Sequence, residues 1–316
     1  MAISDDQQKE IDAQRARTAP TRRATVAALE EALFTAVPVL DHGFVRVVDY
    51  MGDDAAVVQA ARVSYGTGTK KVSDDRGLIR YLMRHAHTTP FEMCEIKLHM
   101  KLPIFVARQV VRHRTANINE YSARYSVLDN EFYCPPPDVL GVQDARNRQG
   151  RGRVMSPEKA ATIIATLKDD AARAYTHYEE FLGLAASATP DEEPLARELA
   201  RINLPVSFYT QWYWKTDLHN LFHFLHLRMD AHAQHEVRAY ADAVAGLVAR
   251  WVPQCWEAFL DYRGQALRLS RIEIEVVRKL LAGQPATAEA AALSRREREE
   301  LAAKLGIDPG KLGLGV

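Results

Sequence analysis

This chain of 316 residues has no excess of charge of either sign: lysine and arginine number 41, and aspartate and glutamate also number 41. The balance excludes a general polyanion binder, because binding by counterion release needs a basic face. Cysteine is scarce, with 3 residues, Cys94, Cys134 and Cys255. Their spacing gives no CxxC metal pattern and no disulfide framework, so a reducing cytoplasm is the expected setting. No apolar run approaches the length of a membrane span. The opening "MAISDDQQKEIDAQRARTAP" carries no apolar core of the kind a secretory leader has. Neither GxGxxG nor a Walker A sequence occurs, and internal repeats and low-complexity tracts are missing too.

What is there has ample length for one large domain or two small ones. Residues 1–40 are polar and alanine-rich and read as a peripheral arm. "FVRVVDYMG" reads as a short strand closed by glycine. "VVQAARVSYGTGTKK" reads as a helix end and a glycine-containing loop, and "RGLIRYLMRHAHTTPFE" as a helix that stops before Pro90. In "CEIKLHMKL", Cys94, Ile96, Leu98, Met100 and Leu102 alternate with polar residues, the period of a strand with one buried face. Pro103 suits the first turn of a following helix, "PIFVARQVVRHR". "CPPPD" is a rigid loop and "NRQGRGRVMSPEK" a charged, glycine-containing one. "SPEKAATIIATLKDDAARAYTHYEEFLGL" predicts a long helix, and "DEEPLARELARINLP" another that stops at Pro205. A very long helix is expected from "DLHNLFHFLHLRMD" to Pro253, and a charged helical tail after Arg263. Strands and long helices without strict βαβ alternation indicate an α+β fold.

One stretch concentrates chemistry. "RHRTANINEYSARYS", from Arg112 to Ser126, gathers three arginines and a histidine among hydroxyls and amides, directly behind the apolar "EIKLHMKLPIFVARQVV". Charge runs are usually solvated loops. Here the apolar flank and the mixture of arginine with Ser, Asn and Glu suit one small anion. Arginine offers phosphate a planar fork of donors, and hydroxyls with backbone amides complete such a cradle. Its place at a helix C-terminus also favours cations. His219 and His223 lie four apart and share a helix face. They read either as metal ligands or as polar contacts of a half-buried helix, and the lack of a tight carboxylate motif argues against metal. Arg228 stands between Leu227 and Met229, where a buried arginine is costly unless it meets an anion or a polar ligand. "GTGTKK" is a lone Gly-x-Gly, read as an ordinary loop.

Arg112-His113-Arg114, seven residues and Ser122 match the RHR-x7-S signature, and by it the chain resembles the flavin-dependent thymidylate synthases. "HTTPFE", "ARINLPVSFYTQWYW" and "FLHLRMDAHAQHE" agree in order and spacing. The resemblance covers roughly residues 43–260. It implies an α+β fold, a mixed or antiparallel sheet flanked by long helices, assembled as a homotetramer with active sites between subunits. Domain limits of 1–40 for the arm, 41–263 for the synthase domain and 264–316 for the tail follow. It implies reductive methylation of dUMP to dTMP, with 5,10-methylenetetrahydrofolate as carbon donor and NADPH as reductant through FAD. No enzyme cysteine attacks the substrate. No metal, nucleic acid or membrane is expected to take part, and the expected location is cytoplasmic.

Residue by residue, the resemblance places Arg228, Ser122 and His87 at the reaction. It places Gln109, Arg112, Glu120, Ser122, Ala123, Arg124, Arg201 and Arg228 around dUMP, with the phosphate at Ser122–Arg124 and Arg201 and the uracil at Arg228. It places Ser64, Thr89, Glu92, Arg112, His113, Arg114, Asn119, Glu120, Asp217, His219, His223 and Gln234 around FAD. The 112–124 and 201–228 blocks are expected from different subunits. The rivals are a helical metalloenzyme and a nucleotide-binding module without catalysis.

Overall fold

The alternation in "EIKLHMKL" builds the strand on which the molecule rests. In the computed structural model, which describes residues 5–64, 75–144, 150–185 and 193–314, this strand is buried on one face from Ile96 to Leu102. The strands are β1 (Val37–Val39), β2 (Gly43–Met51), β3 (Glu95–Pro103), β4 (Asn117–Glu120), β5 (Gly141–Gln143), β6 (Arg151–Val154) and β7 (Tyr209–Asp217). Five form a sheet in the order β1-β2-β3-β7-β4, each ladder antiparallel, while β5 and β6 form a separate hairpin. An antiparallel sheet can bury one face and leave the other to polar residues. Trp212 and Trp214 of β7 face inward with Leu98 and Met100, whereas Gln211, Tyr213 and Lys215 alternate outward.

The first eleven helices are α1 (Asp5–Arg15), α2 (Ala27–Glu30), α3 (Asp54–Val63), α4 (Asp75–Arg84), α5 (Thr89–Glu92), α6 (Ile104–Val110), α7 (Pro157–Phe181), α8 (Arg197–Ala200), α9 (Leu218–Arg228), α10 (His235–Trp251) and α11 (Pro253–Phe259). α10 buries Val237, Tyr240, Ala241, Val244, Val248 and Trp251, a stripe of helical period. The chain divides into two compact units, Met1–Phe259 and Leu260–Val316. The second holds α12 (Arg271–Leu281), α13 (Thr287–Ala290) and α14 (Arg295–Leu305) around Val276, Ala290 and Leu301. Capping boxes at Ser270 and Ser294 start two of these helices.

Several elements differ from the sequence reading. The very long helix from Asp217 to Pro253 is two helices, because Asp230 accepts from the His232 backbone N–H at 2.8 Å and from its ring, a local turn that competes with helix. The helix before Pro90 already ends at Arg84. Ala86 takes φ 56°, and the His87 N–H returns to the Leu82 carbonyl at 3.0 Å in a Schellman-type cap. Pro90 instead opens α5. Pro103 keeps an extended ψ of 147° and closes β3, not the first turn of α6. The arm is not wholly peripheral: Leu29 is buried and Val37–Val39 pair with β2. The charged loop after "CPPPD" contains β6, and β4 arises inside the basic stretch. "GTGTKK" and residues 145–149 lie outside the described residues.

Candidate functional site

α6 explains where the charge goes. Its Val106, Ala107 and Val110 are buried, so the chain leaves the core at its end. Arg112 and Arg114 are therefore exposed, and His113 is half-buried. β4 then returns the chain to the sheet against Trp212–Lys215, and the Tyr121 N–H donates to the Gln211 carbonyl at 2.8 Å. The basic stretch is thus a surface segment tied at both ends to buried structure. Among the described residues, neither Arg112 nor Arg114 has a carboxylate partner.

The first group lies at the C-terminal end of α6. Asp217 caps α9, accepting from the Asn220 N–H at 2.9 Å and its side-chain amide at 2.6 Å. This fixes α9 so that Leu221, Phe224 and Leu225 are buried and Arg228 stands half-buried in the last turn. Arg228 donates from Nε to His113 Nε2 at 3.1 Å and from Nη2 to the Gln109 carbonyl at 3.3 Å. To accept there, His113 must be neutral. Burial, the Arg228 charge and His223 push its pKa down to about 4. Its ring packs 4.9 Å from Phe224 and 5.8 Å from His223. Burial and Arg112 lower the Arg228 pKa, yet a guanidinium keeps its proton in any working range. Gln109 also donates from its side chain to Gln234. Gln109, His113, His223, Arg228 and Gln234 are thereby brought together.

The second group lies at the other end of α6, roughly 8 Å of helix rise away. A cavity of about 370 Å³ is lined by Ile104, Glu120, Tyr121, Ser122, Ala123, Arg201 and Thr210 among others. Thr210 Oγ1 donates to Glu120 at 2.7 Å, and Ser122 Oγ accepts from the Arg124 N–H at 3.3 Å. Arg124 does not line this cavity. Its side chain pairs with Glu198 at 3.1 Å on the surface, a contact weak enough for an anion to replace. Arg201 and Glu120–Ala123 share this cavity within one chain, and His113 and Arg228 also meet within one chain.

The remaining residues stand nearby or apart. Asn119 is exposed on β4, and His219 lies in the first turn of α9. Ser64 ends α3, His87 follows the α4 cap, and Thr89 and Glu92 belong to α5, whose Phe91 meets Phe222 of α9 at 6.4 Å. No hydrogen bond joins these last four to either group among the described residues. Sequence reasoning missed Thr210, Tyr133, Arg151 and Glu236. The acid of "AQHE" was visible, but its partners are remote in sequence.

The chain is an α+β protein that presents, among the described residues, an arginine without a carboxylate partner at one end of a short helix and a Ser/Arg cavity at the other. A family model described as Thymidylate synthase complementing protein matches residues 46–254. The flavin-dependent thymidylate synthase of Ruegeria pomeroyi is 60% identical over 306 residues, covering 97% of this chain and 100% of the relative. That of Gluconobacter oxydans is 57% identical, covering 96% and 99%. The chain belongs to the flavin-dependent thymidylate synthase family. Among solved structures, the UMP/dUMP methylase PolB from Streptomyces cacaoi, bound with 5-Br UMP, aligns with a TM-score of 0.63 and 32% identity over 72% of this chain and 97% of that one.

Proposed function

We propose that the protein methylates dUMP at uracil C5 to give dTMP, taking carbon from 5,10-methylenetetrahydrofolate and electrons from NADPH through bound FAD. The observation that carries this reading is the preorganised Arg228, held by His113 and the Gln109 carbonyl with Nη1 free of hydrogen bonds among the described residues. The names of the relatives supply the flavin, and the PolB structures were solved with 5-Br UMP and 5-Br dUMP.

The exposed Arg112 and Arg114, without carboxylate partners among the described residues, suit the phosphates of FAD, with His223 beside His113 and Asn119 exposed on β4. These residues would hold it, with Ser64, Thr89, Glu92, His219 and Gln234 as further contacts. Bound FAD supplies the hydride that no side chain can. Arg228 would face the pyrimidine oxygens and stabilise the negative charge that makes C5 nucleophilic. Neutral His113 keeps the guanidinium in place without adding a competing charge. Ser122 and Arg201 would hold the phosphate in their cavity, with Arg124 released from Glu198, and His87 would border the flavin.

No cysteine attack is needed. Burial raises the Cys94 thiol to about 12 and lifts Cys255 well above its ordinary value. Cys134 is raised as well, by burial. Thiols so placed are not thiolates at neutral pH. A homotetramer with sites near its interfaces is supported by exposed apolar side chains: Val206, which lines the cavity, at 61%, and Tyr125 and Ile202, close in sequence to its lining residues, at 76% and 74%. A cytoplasmic location completes the reading, in keeping with the free cysteines. No described helix is long and apolar enough to cross a membrane.

The test is an FAD titration followed by absorbance, then assay of dTMP formation with dUMP, NADPH and methylenetetrahydrofolate. Flavin bands and product are expected. Protein that takes up no FAD overturns the proposal.

A further inference from the structure

Behind Arg228 the hydrogen bonds continue into residues the reaction has not used. Gln109 donates its side-chain amide to Gln234 Oε1, and Gln234 donates Nε2 to Glu236 Oε2 at 2.8 Å. Glu236 is 2% exposed. Its other oxygen accepts from Tyr133 OH at 3.0 Å and from Arg151, which also donates to the Val139 carbonyl at 3.0 Å. One carboxylate thus gathers donors from the segment after β4, from the β5–β6 hairpin and from the start of α10. Burial opposes its charge, but the Arg151, backbone and Gln234 hydrogen bonds outweigh it and hold the carboxyl below its ordinary range. Its place in the first turn of α10 also favours an anion.

An ionised carboxylate only accepts hydrogen bonds. Glu236 therefore compels Gln234 to turn its NH2 inward and its oxygen toward Gln109. Gln109 must in turn offer its NH2 to Gln234, which leaves Gln109 Oε1 without a hydrogen-bond partner among the described residues, on the residue whose backbone carbonyl holds Arg228. A uracil edge presents acceptor, N3–H donor, acceptor. Arg228 would supply a donor for one of the flanking oxygens, and Gln109 Oε1 the acceptor that N3–H needs. Cytosine has an acceptor at N3 and would face that oxygen lone pair to lone pair.

We propose that Glu236 is a positioning residue that sets uracil specificity: through Gln234 it fixes the Gln109 amide so that the site takes a pyrimidine with an N3–H and rejects one with a bare N3. This rests on the assignment of Arg228 and Gln109 to the nucleotide. Simple stapling would not require this polarity, since apolar packing can replace a buried ion pair.

The test measures dissociation constants of dUMP and dCMP on folded, flavin-loaded protein. The variants are Glu236→Gln, whose amide no longer dictates direction, and Gln234→Met, an exposed position that breaks the relay while Glu236 keeps Tyr133 and Arg151. The expected result is a fall of about tenfold in the dUMP-over-dCMP preference in each, read on protein saturated with added FAD and matched for flavin occupancy, since Gln234 is itself assigned to the flavin. If Glu236→Gln does not fold, Gln234→Met alone decides. Wild-type preference for dUMP that survives in the folded variants overturns the Glu236 assignment alone. Wild-type protein that binds neither nucleotide overturns the functional reading beneath it.

Discussion

At the Arg228 end of α6, each polar group is held by another: Arg228 by His113 and Gln109, Gln109 by Gln234, Gln234 by Glu236. At the Ser122 end, Arg201 is exposed with no ion pair among the described residues, and Arg124 rests on a surface ion pair. The contrast fits what each end would bind. A phosphate is nearly isotropic in charge and needs only cations and donors within reach. A ring edge alternates donors and acceptors over a short distance, so the groups that read it must be fixed beforehand.

The sharpest way to break the comparison is Arg228→Ala. Turnover and dUMP affinity should fall by roughly one to two decades, the cost of a charge-assisted contact, while flavin binding persists. Near-normal turnover with dUMP would remove the distinction between the two ends.

Acid should act on the ordered end first. His113 titrates at about 4 in the fold against an ordinary 6.5, so the folded state binds fewer protons between those values. Stability is complete above about 6.5 and is lost as pH falls toward about 4. His99, lowered to about 4 by burial and Arg46, adds to the same window. Urea midpoints at pH 7 and pH 5 should differ less in His113→Gln than in the wild type; equal differences would exclude His113 as a source.

At the loose end, Arg201→Ala should weaken dUMP about tenfold by losing one charge-assisted hydrogen bond, and the wild-type advantage should shrink as salt rises. An effect independent of ionic strength would show that Arg201 acts by packing.

The smallest effect is expected from changing Cys94, Cys134 and Cys255 together to serine or alanine. Flavin-loaded, folded protein should keep substantial NADPH-dependent dTMP formation. Complete loss with dUMP binding intact would mean that a cysteine attacks the substrate. Cys94 and Cys255 are buried, so a fall in melting temperature is expected and is separate from turnover.

Asp217 is the N-cap of α9. An acid near a flavin phosphate is unfavourable, but its oxygens are engaged by Asn220 at the start of α9. That need is local, and an Asp three residues before Asn220 was visible in the chain. β7 was less legible. "YTQWYWKTD" alternates, yet its importance comes from lying between β3 and β4, which no local pattern states.

By itself the sequence determined whatever depends on neighbours along the chain. The alternation of Ile96, Leu98 and Met100 fixed a one-sided strand, Ser156 and Pro157 the start of a long helix, and the 112–122 signature the family. Only the tertiary structure decided which partners meet. It split the histidine helix at Asp230, turned "NINE" into an edge strand and brought Glu236 through Gln234 to Gln109. It also set His113 beside Arg228, 115 positions away. The physical reason is that periodicity and capping act over a few residues. A hydrogen bond between distant residues depends on sheet order, register and burial, which exist only once the chain has folded.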